Sequence, residues 1–174
     1  MKSVAEQIFD LAQQIAHRTP GFQERRGPGK AAGNGVTDEF LAALNREVAK
    51  RFATVCRLQE PVAPGLKYSF DYFIPSESTA IEIALSLGND VTEFEKDIFK
   101  AILGKESGKS VTKLVLIGKD GCVKRRNGPG PNAIKRWGSE NCGIEIQVKE
   151  LTCGDTLPVS STHAHSVADI EKIR

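Results

Sequence analysis

Phe70–Leu103 reads FDYFIPSESTAIEIALSLGNDVTEFEKDIFKAIL, and its punctuation decides the fold. The aromatic run ending at Ile74 has strand composition over Lys67–Ile74. Pro75-Ser76-Glu77-Ser78 is a turn, and Thr79–Leu87 is almost wholly apolar, as a central strand is. Gly88-Asn89-Asp90 breaks the pattern, and Thr92–Leu103 has helical spacing, with Gly104 as its stop. Strand, turn, strand, helix is the resulting order.

Elements on either side extend it. Val4, Ile8, Leu11, Ala12 and Ile15 mark a first amphipathic helix, ended near Thr19-Pro20. Thr37 or Asp38 caps a second, with Phe40, Leu41, Leu44, Val48 and Phe52 on one face. Strands are expected at Ala53–Leu58, Val111–Ile117 and Gly143–Leu151. Gly21–Gly35 and Gly118–Gly138 read as glycine-rich loops, the latter with one helical turn around Ala133–Trp137. A weak helix is expected at Val167–Ile173. A strand–helix–strand unit inside a run of strands predicts an α/β domain with a mixed central β-sheet flanked by helices. The 174 residues fit one domain: N-terminal helices over 1–52, an α/β core over 53–151 and a tail over 152–174.

Composition narrows the class. With 40% hydrophobic and 26% charged residues the chain reads as globular rather than disordered or fibrous. No apolar run is long enough to span a membrane, and the N-terminus lacks the apolar core of a secretory signal, so the expected location is cytoplasmic. Cys56, Cys122, Cys142 and Cys153 are too widely spaced for a CxxC site and read as reduced thiols. His163-Ala164-His165 has no second ligand pair beside it. Net charge is +2, yet residues 18–36 carry +3 and residues 119–138 carry +5, leaving the rest acidic at −6. Two basic stretches on an acidic body point to an anionic partner such as nucleic acid. The first is either a phosphate-contacting arm, through Arg25, Arg26 and Lys30, or a flexible linker, and Lys124, Arg125, Arg126, Lys135 and Arg136 would contact phosphates from the second. Trp137, the single tryptophan, either stacks on a base or anchors its loop to the core.

Asp71 and Glu82 carry the chemistry. Each lies inside an expected strand, Asp71 between Phe70 and Tyr72 and Glu82 between Ile81 and Ile83. An isolated carboxylate there costs several kcal/mol by the usual estimates unless something pairs with it. If Pro75–Ser78 closes a hairpin, the two acids converge, and two carboxylates beside a backbone carbonyl suit Mg²⁺ or Mn²⁺. The alternative is a carboxylate paired with an internal Arg or Lys, or turned to solvent. On the helix, Phe94, Ile98, Ala101 and Ile102 define a stripe that includes Glu95, which is therefore expected to face the sheet as a third acid. Lys96 and Lys100 then fall on the solvent side, and Lys113 reaches the cleft by extending its stem.

A hairpin carrying an Asp, an apolar strand with a Glu, a helix and a further strand together resemble the core of the PD-(D/E)XK nuclease superfamily, the restriction endonuclease-like fold. The resemblance lies in Phe70–Leu103, about a fifth of the chain. It implies a Mg²⁺-dependent endonuclease, a hydrolase of phosphodiester bonds in DNA more than RNA, with Asp71 and Glu82 as metal ligands. It also implies an auxiliary role for a glutamate on an upstream helix, which Glu47 would fill. Phe70 stands where the family has proline, and Ala84 where it usually has a lysine thought to orient the attacking water. Lys113, Lys96 and Lys100 are the replacements on offer, since members of the superfamily supply that function from neighbouring elements. Cutting two strands with one site per chain favours a homodimer. The competing expectation, which rests on Ala84, is an inactive nucleic-acid-binding or regulatory protein on the same fold.

Overall fold

The computed structural model describes residues 1–22, 34–85 and 90–152. Arg25, Arg26, Lys30, Cys153, His163, His165 and the expected helix at Val167–Ile173 lie outside them. The elements run α1 (Val4–Arg18), α2 (Asn34–Phe52), β1 (Arg57–Pro61), β2 (Ser69–Ile74), β3 (Thr79–Ala84), α3 (Asp90–Glu106), β4 (Lys113–Lys119), α4 (Cys122–Arg126), α5 (Pro129–Cys142) and β5 (Glu145–Leu151). Strand order in the sheet is β1-β2-β3-β4-β5. The first three strands pair antiparallel and the last three parallel, so the sheet is mixed, as expected from the strand–helix–strand unit.

Local chemistry explains the ends. Ser3 and Glu6 form a reciprocal capping box on α1, and the Glu77 carboxylate accepts from the Val4 and Ala5 amides. That second contact ties the helix to the turn between β2 and β3, a 3-10 turn over Pro75–Glu77 that ends at Ser78 with φ 49°. Pro61 closes β1 at the sheet edge, where a missing N–H is tolerated.

Helices cover both faces. On one, Ile8, Leu11, Ala12 and Ile15 of α1 and Phe40, Leu44 and Val48 of α2 pack on Tyr72, Ile74, Ile81, Val115 and Ile117. On the other, Phe94, Ile98 and Ala101 of α3 pack on Phe73, Ala80, Leu114 and Leu116, with Ile134 and Cys142 of α5 against the same cluster. Each fully buried Leu, Ile or Phe side chain contributes roughly 1.5–3 kcal/mol. Among the described residues no helix is long and apolar enough to cross a membrane.

Several boundaries differ from the sequence reading, each for a physical reason. Ala53-Thr54-Val55 looks like strand but closes α2, with the Val55 and Cys56 amides bonded to the Phe52 carbonyl; β1 therefore starts at Arg57. Gly104 does not stop α3. It lies inside the helix because an added Cβ would meet the Phe70 ring at 2.8 Å. The basic stretch 118–138 is not a loop but contains α4 and most of α5. α2 begins at Asn34, three residues before Thr37.

Gly118, paired with Ala84 across β3 and β4, permits the closest approach in this layer, since a Cβ there would lie 2.7 Å from Cys122 Sγ and 2.8 Å from its Cβ. Gly118→Ala is expected to lose about 1–3 kcal/mol in urea denaturation. Gly130→Ala, in α5 with nothing within 4 Å, is the control, and it should be neutral or gain up to ~1 kcal/mol. Equal effects at the two positions would refute the packing explanation.

Candidate active site

The hairpin brings the two acids together. The register pairs Tyr72 with Ile81, Phe73 with Ala80 and Ile74 with Thr79, and one step further Asp71 stands opposite Glu82. Directly opposed residues of antiparallel strands project to the same face. That face is the one covered by α3, because Ala80, two residues before Glu82, packs with Phe94 and Ile98. Asp71 is half-buried and held from both sides. Its Oδ2 accepts from the Ile83 amide at 2.8 Å and its Oδ1 from Gln59 Nε2 at 3.1 Å. Gln59 takes a left-handed conformation, φ 48°, to do so from inside β1.

Glu82 is 3% exposed. Lys100, 7% exposed, reaches it from α3, with Nζ 2.6 Å from Oε1. Among the described residues no other donor reaches Oε1. Lys100 is shared with Asp97, 4% exposed and 3.3 Å away. Glu82 and Asp97 thus share one buried ammonium, and Asp71 stands across the hairpin from Glu82. Burial, reinforced by the Asp71 and Asp97 charges and opposed by Lys100, pushes the Glu82 carboxyl up to about 9. The short ion pair by itself argues for an ionised Glu82, but one ammonium divided between two acids does not offset that burial. Burial also raises Asp97, against the pull of Lys100 and Lys96.

The face expected for α3 is corrected. Glu95 is exposed to solvent, whereas Asp97, Ile98, Lys100 and Ala101 face the sheet. The apolar stripe marks the right side of the helix, but its flank also holds Lys100, which pairs with Glu82, and Asp97, which pairs with Lys100. Turning the inferred centre of the buried face toward Asp97 removes Glu95 and admits Lys100. Lys96 stays outside and pairs with Glu93.

Other expected members lie apart. Lys113 sits 3.5 Å from Glu145 Oε2, and strand alternation places it with Val115 and Ile117 on the face covered by α1 and α2, away from Glu82. Glu47 is on α2, bonded to Arg51 at 2.9 Å. Arg126 belongs to no exposed basic patch. It is 2% exposed and packs over the Phe94 ring, centroid distance 5.7 Å. Lys124, Arg125, Arg136 and Trp137 are exposed on α4 and α5, and Lys135 is half-buried. Cys56, Cys122 and Cys142 are free thiols. Sequence reasoning missed Gln59 and Asp97. Asp97 carried a signal, three residues before Lys100 on one helix; Gln59 carried none.

No family model matches the chain, and searches of curated proteins and of solved structures returned no match.

The pH response of Glu82 has a definite sign. The unfolded chain ionises it in the ordinary carboxylate range, whereas the fold holds the proton to about 9. Its contribution to stability is therefore present below the ordinary range and lost as pH rises toward the folded value. With chelator present, Glu82→Gln should gain on the parent by about 1 kcal/mol or more between about pH 5 and about pH 8.5 in denaturant titrations. A difference that shrinks or stays flat with pH would show that the carboxyl is not held in its protonated form.

Proposed function

We propose that the chain is a divalent-metal-dependent nuclease of the PD-(D/E)XK type, hydrolysing phosphodiester bonds in DNA. One observation carries the reading: Asp71 and Glu82 oppose each other across β2 and β3 with a buried lysine ammonium 2.6 Å from the glutamate. The order hairpin, helix, parallel strand is the order that the resemblance implies. Ala84 leaves the usual lysine position empty, and Lys100 brings an ammonium to the same acid from the following helix.

Mg²⁺ or Mn²⁺ is the cation this reading calls for, taking the place that the Lys100 ammonium holds beside Glu82. Among the described residues no group of three or more His, Cys, Asp or Glu side chains could hold a metal, so Asp71 and Glu82 would be the protein's ligands. Mg²⁺ commonly takes only one or two carboxylates and keeps several waters. Three carboxylates against Lys100 leave about two negative charges when all are ionised, and a bound cation would displace the Glu82 proton and the Lys100 contact at Oε1. A bound cation would supply activation of water and stabilisation of phosphoryl charge. In this reading Asp71 is oriented by Ile83 and Gln59, and Lys100 offsets charge that builds beside Glu82. Lys124, Arg125 and Arg136 would neutralise phosphates, with loss of affinity as salt rises. A cut through both strands of a duplex would take two copies of the chain.

Ala84 also favours a second reading, an inactive nucleic-acid-binding protein on this fold. Cleavage of labelled oligonucleotides with Mg²⁺ or Mn²⁺ separates the two. The nuclease reading expects loss of cleavage in Asp71→Asn and Glu82→Gln, and a fall of roughly 10²-fold or more in Lys100→Met, each with its circular dichroism retained. Binding without cleavage under both metals selects the inactive protein.

A further inference from the structure

Trp137 is half exposed, at 52%, and among the other aromatic residues only Phe99 and Tyr68 are comparably exposed. It lines a groove of about 450 Å³ with Ala133, Ile134, Arg136 and Glu140. These residues fall at helical spacing and make one continuous face of α5. The groove floor is apolar and its rim is charged. The segment formed by α4 and α5 carries five cations, Lys124, Arg125, Arg126, Lys135 and Arg136, against the single carboxylate of Glu140. Of these, Lys124, Arg125 and Arg136 are exposed. An aromatic ring set among cations suits a ligand with both a flat π-face and a regular negative charge. Ile134 of α5 packs on the cluster containing Phe94 and Leu116, so this helix covers the sheet face to which Glu82 projects.

We infer that the Trp137 groove is a stacking platform for an unpaired base, and that the substrate class is therefore single-stranded nucleic acid. The inference deepens the nuclease reading and rests on it only for the identity of the chemistry that follows binding. A duplex base is already stacked on both sides, whereas an unpaired base offers its π-face to the indole while Arg136 and its neighbours take the adjoining phosphates. A single-stranded substrate also needs one active site rather than two.

Because Trp137 is the sole tryptophan, its emission reports on this site alone. The full chain, in chelator at low salt so that no cleavage occurs, is mixed with a short dye-labelled oligothymidylate whose anisotropy gives the affinity, and with the unlabelled oligonucleotide while the tryptophan emission is followed. The expected result is saturable quenching that weakens as salt rises, affinity about tenfold lower in Trp137→Ala, and near-parental affinity in Trp137→Phe. A duplex of equal length should bind without quenching. Binding with no change in emission, equal quenching by duplex, or no binding at all would overturn the platform. So would an indole already shielded from acrylamide in the free chain, which would assign the groove to a segment of this chain or to a second copy. The measurement needs no metal. Quenching without metal-dependent cleavage would leave the platform and remove the nuclease, and cleavage without quenching would do the reverse.

Discussion

A carboxylate in the middle strand of a covered sheet must be neutralised, and that requirement organises the surroundings of Glu82. The proton that Glu82 retains and a buried ammonium both answer that requirement, and a buried ammonium in turn needs an acid beside it. Lys100 is the partner here, and its position on α3 fixes the rotation of that helix about its axis. With Lys100 turned to the sheet, Asp97, one turn earlier on the same flank, must be buried too. Phe94, Ile98 and Ala101 complete the face, and Gly104 lets the last turn come down onto Phe70. Electrostatics and apolar packing thus select one helix orientation, and neither alone would bury Asp97.

The same cluster holds more acid than base. An ammonium serving two carboxylates, with Asp71 beside them, leaves negative charge that the fold retains only by holding a proton on Glu82. Such a group is a poor choice for stability and a good one for chemistry, since strongly shifted acids beside a specific charge partner concentrate at functional sites. Asp71 differs in kind. Its two oxygens are occupied by a backbone amide of β3 and by Gln59, so the bond that fixes its direction also links the strands that carry the two acids. Orientation at Asp71 and charge at Glu82 are provided by separate contacts.

How much of this was legible depends on the residue. The turn at Pro75–Ser78, the apolar run of β3 and the alternation of β5 each announce their element, so the hairpin and the opposition of Asp71 to Glu82 follow from local rules. Side-chain partners across elements do not. The stripe Phe94, Ile98, Ala101 locates the buried side of α3 only to within about one residue's rotation, ~100°, and Glu95 and Lys100, roughly 140° apart at five residues, lie on its opposite flanks. Only the position of Glu82 in three dimensions resolves it. The lysine beside the acid was among the candidates on offer, but helical geometry read in isolation assigned it to solvent.

The misreading of residues 118–138 has a different origin and bears on the basic surface. Gly128 as N-cap and Pro129 at the first helical position are signals of a helix start, yet in a stretch with further glycines and prolines they also describe a loop. Packing decides. Gly138 is buried where a Cβ would lie 3.0 Å from Ile146 Cδ1, and Gly143 ends the helix with φ 57°, so α5 is held against β5 along its C-terminal half. Its cations and its tryptophan therefore lie on a fixed helical face instead of a mobile arm. A mobile arm would lose conformational entropy on closing around a strand, while a preformed face has lost it already in folding. If the proposed nucleic acid binds this face, its affinity would come from matching the spacing of phosphates and base to a rigid helix. Substitutions that leave charge unchanged but loosen α5 should then weaken binding as much as removal of a single cation.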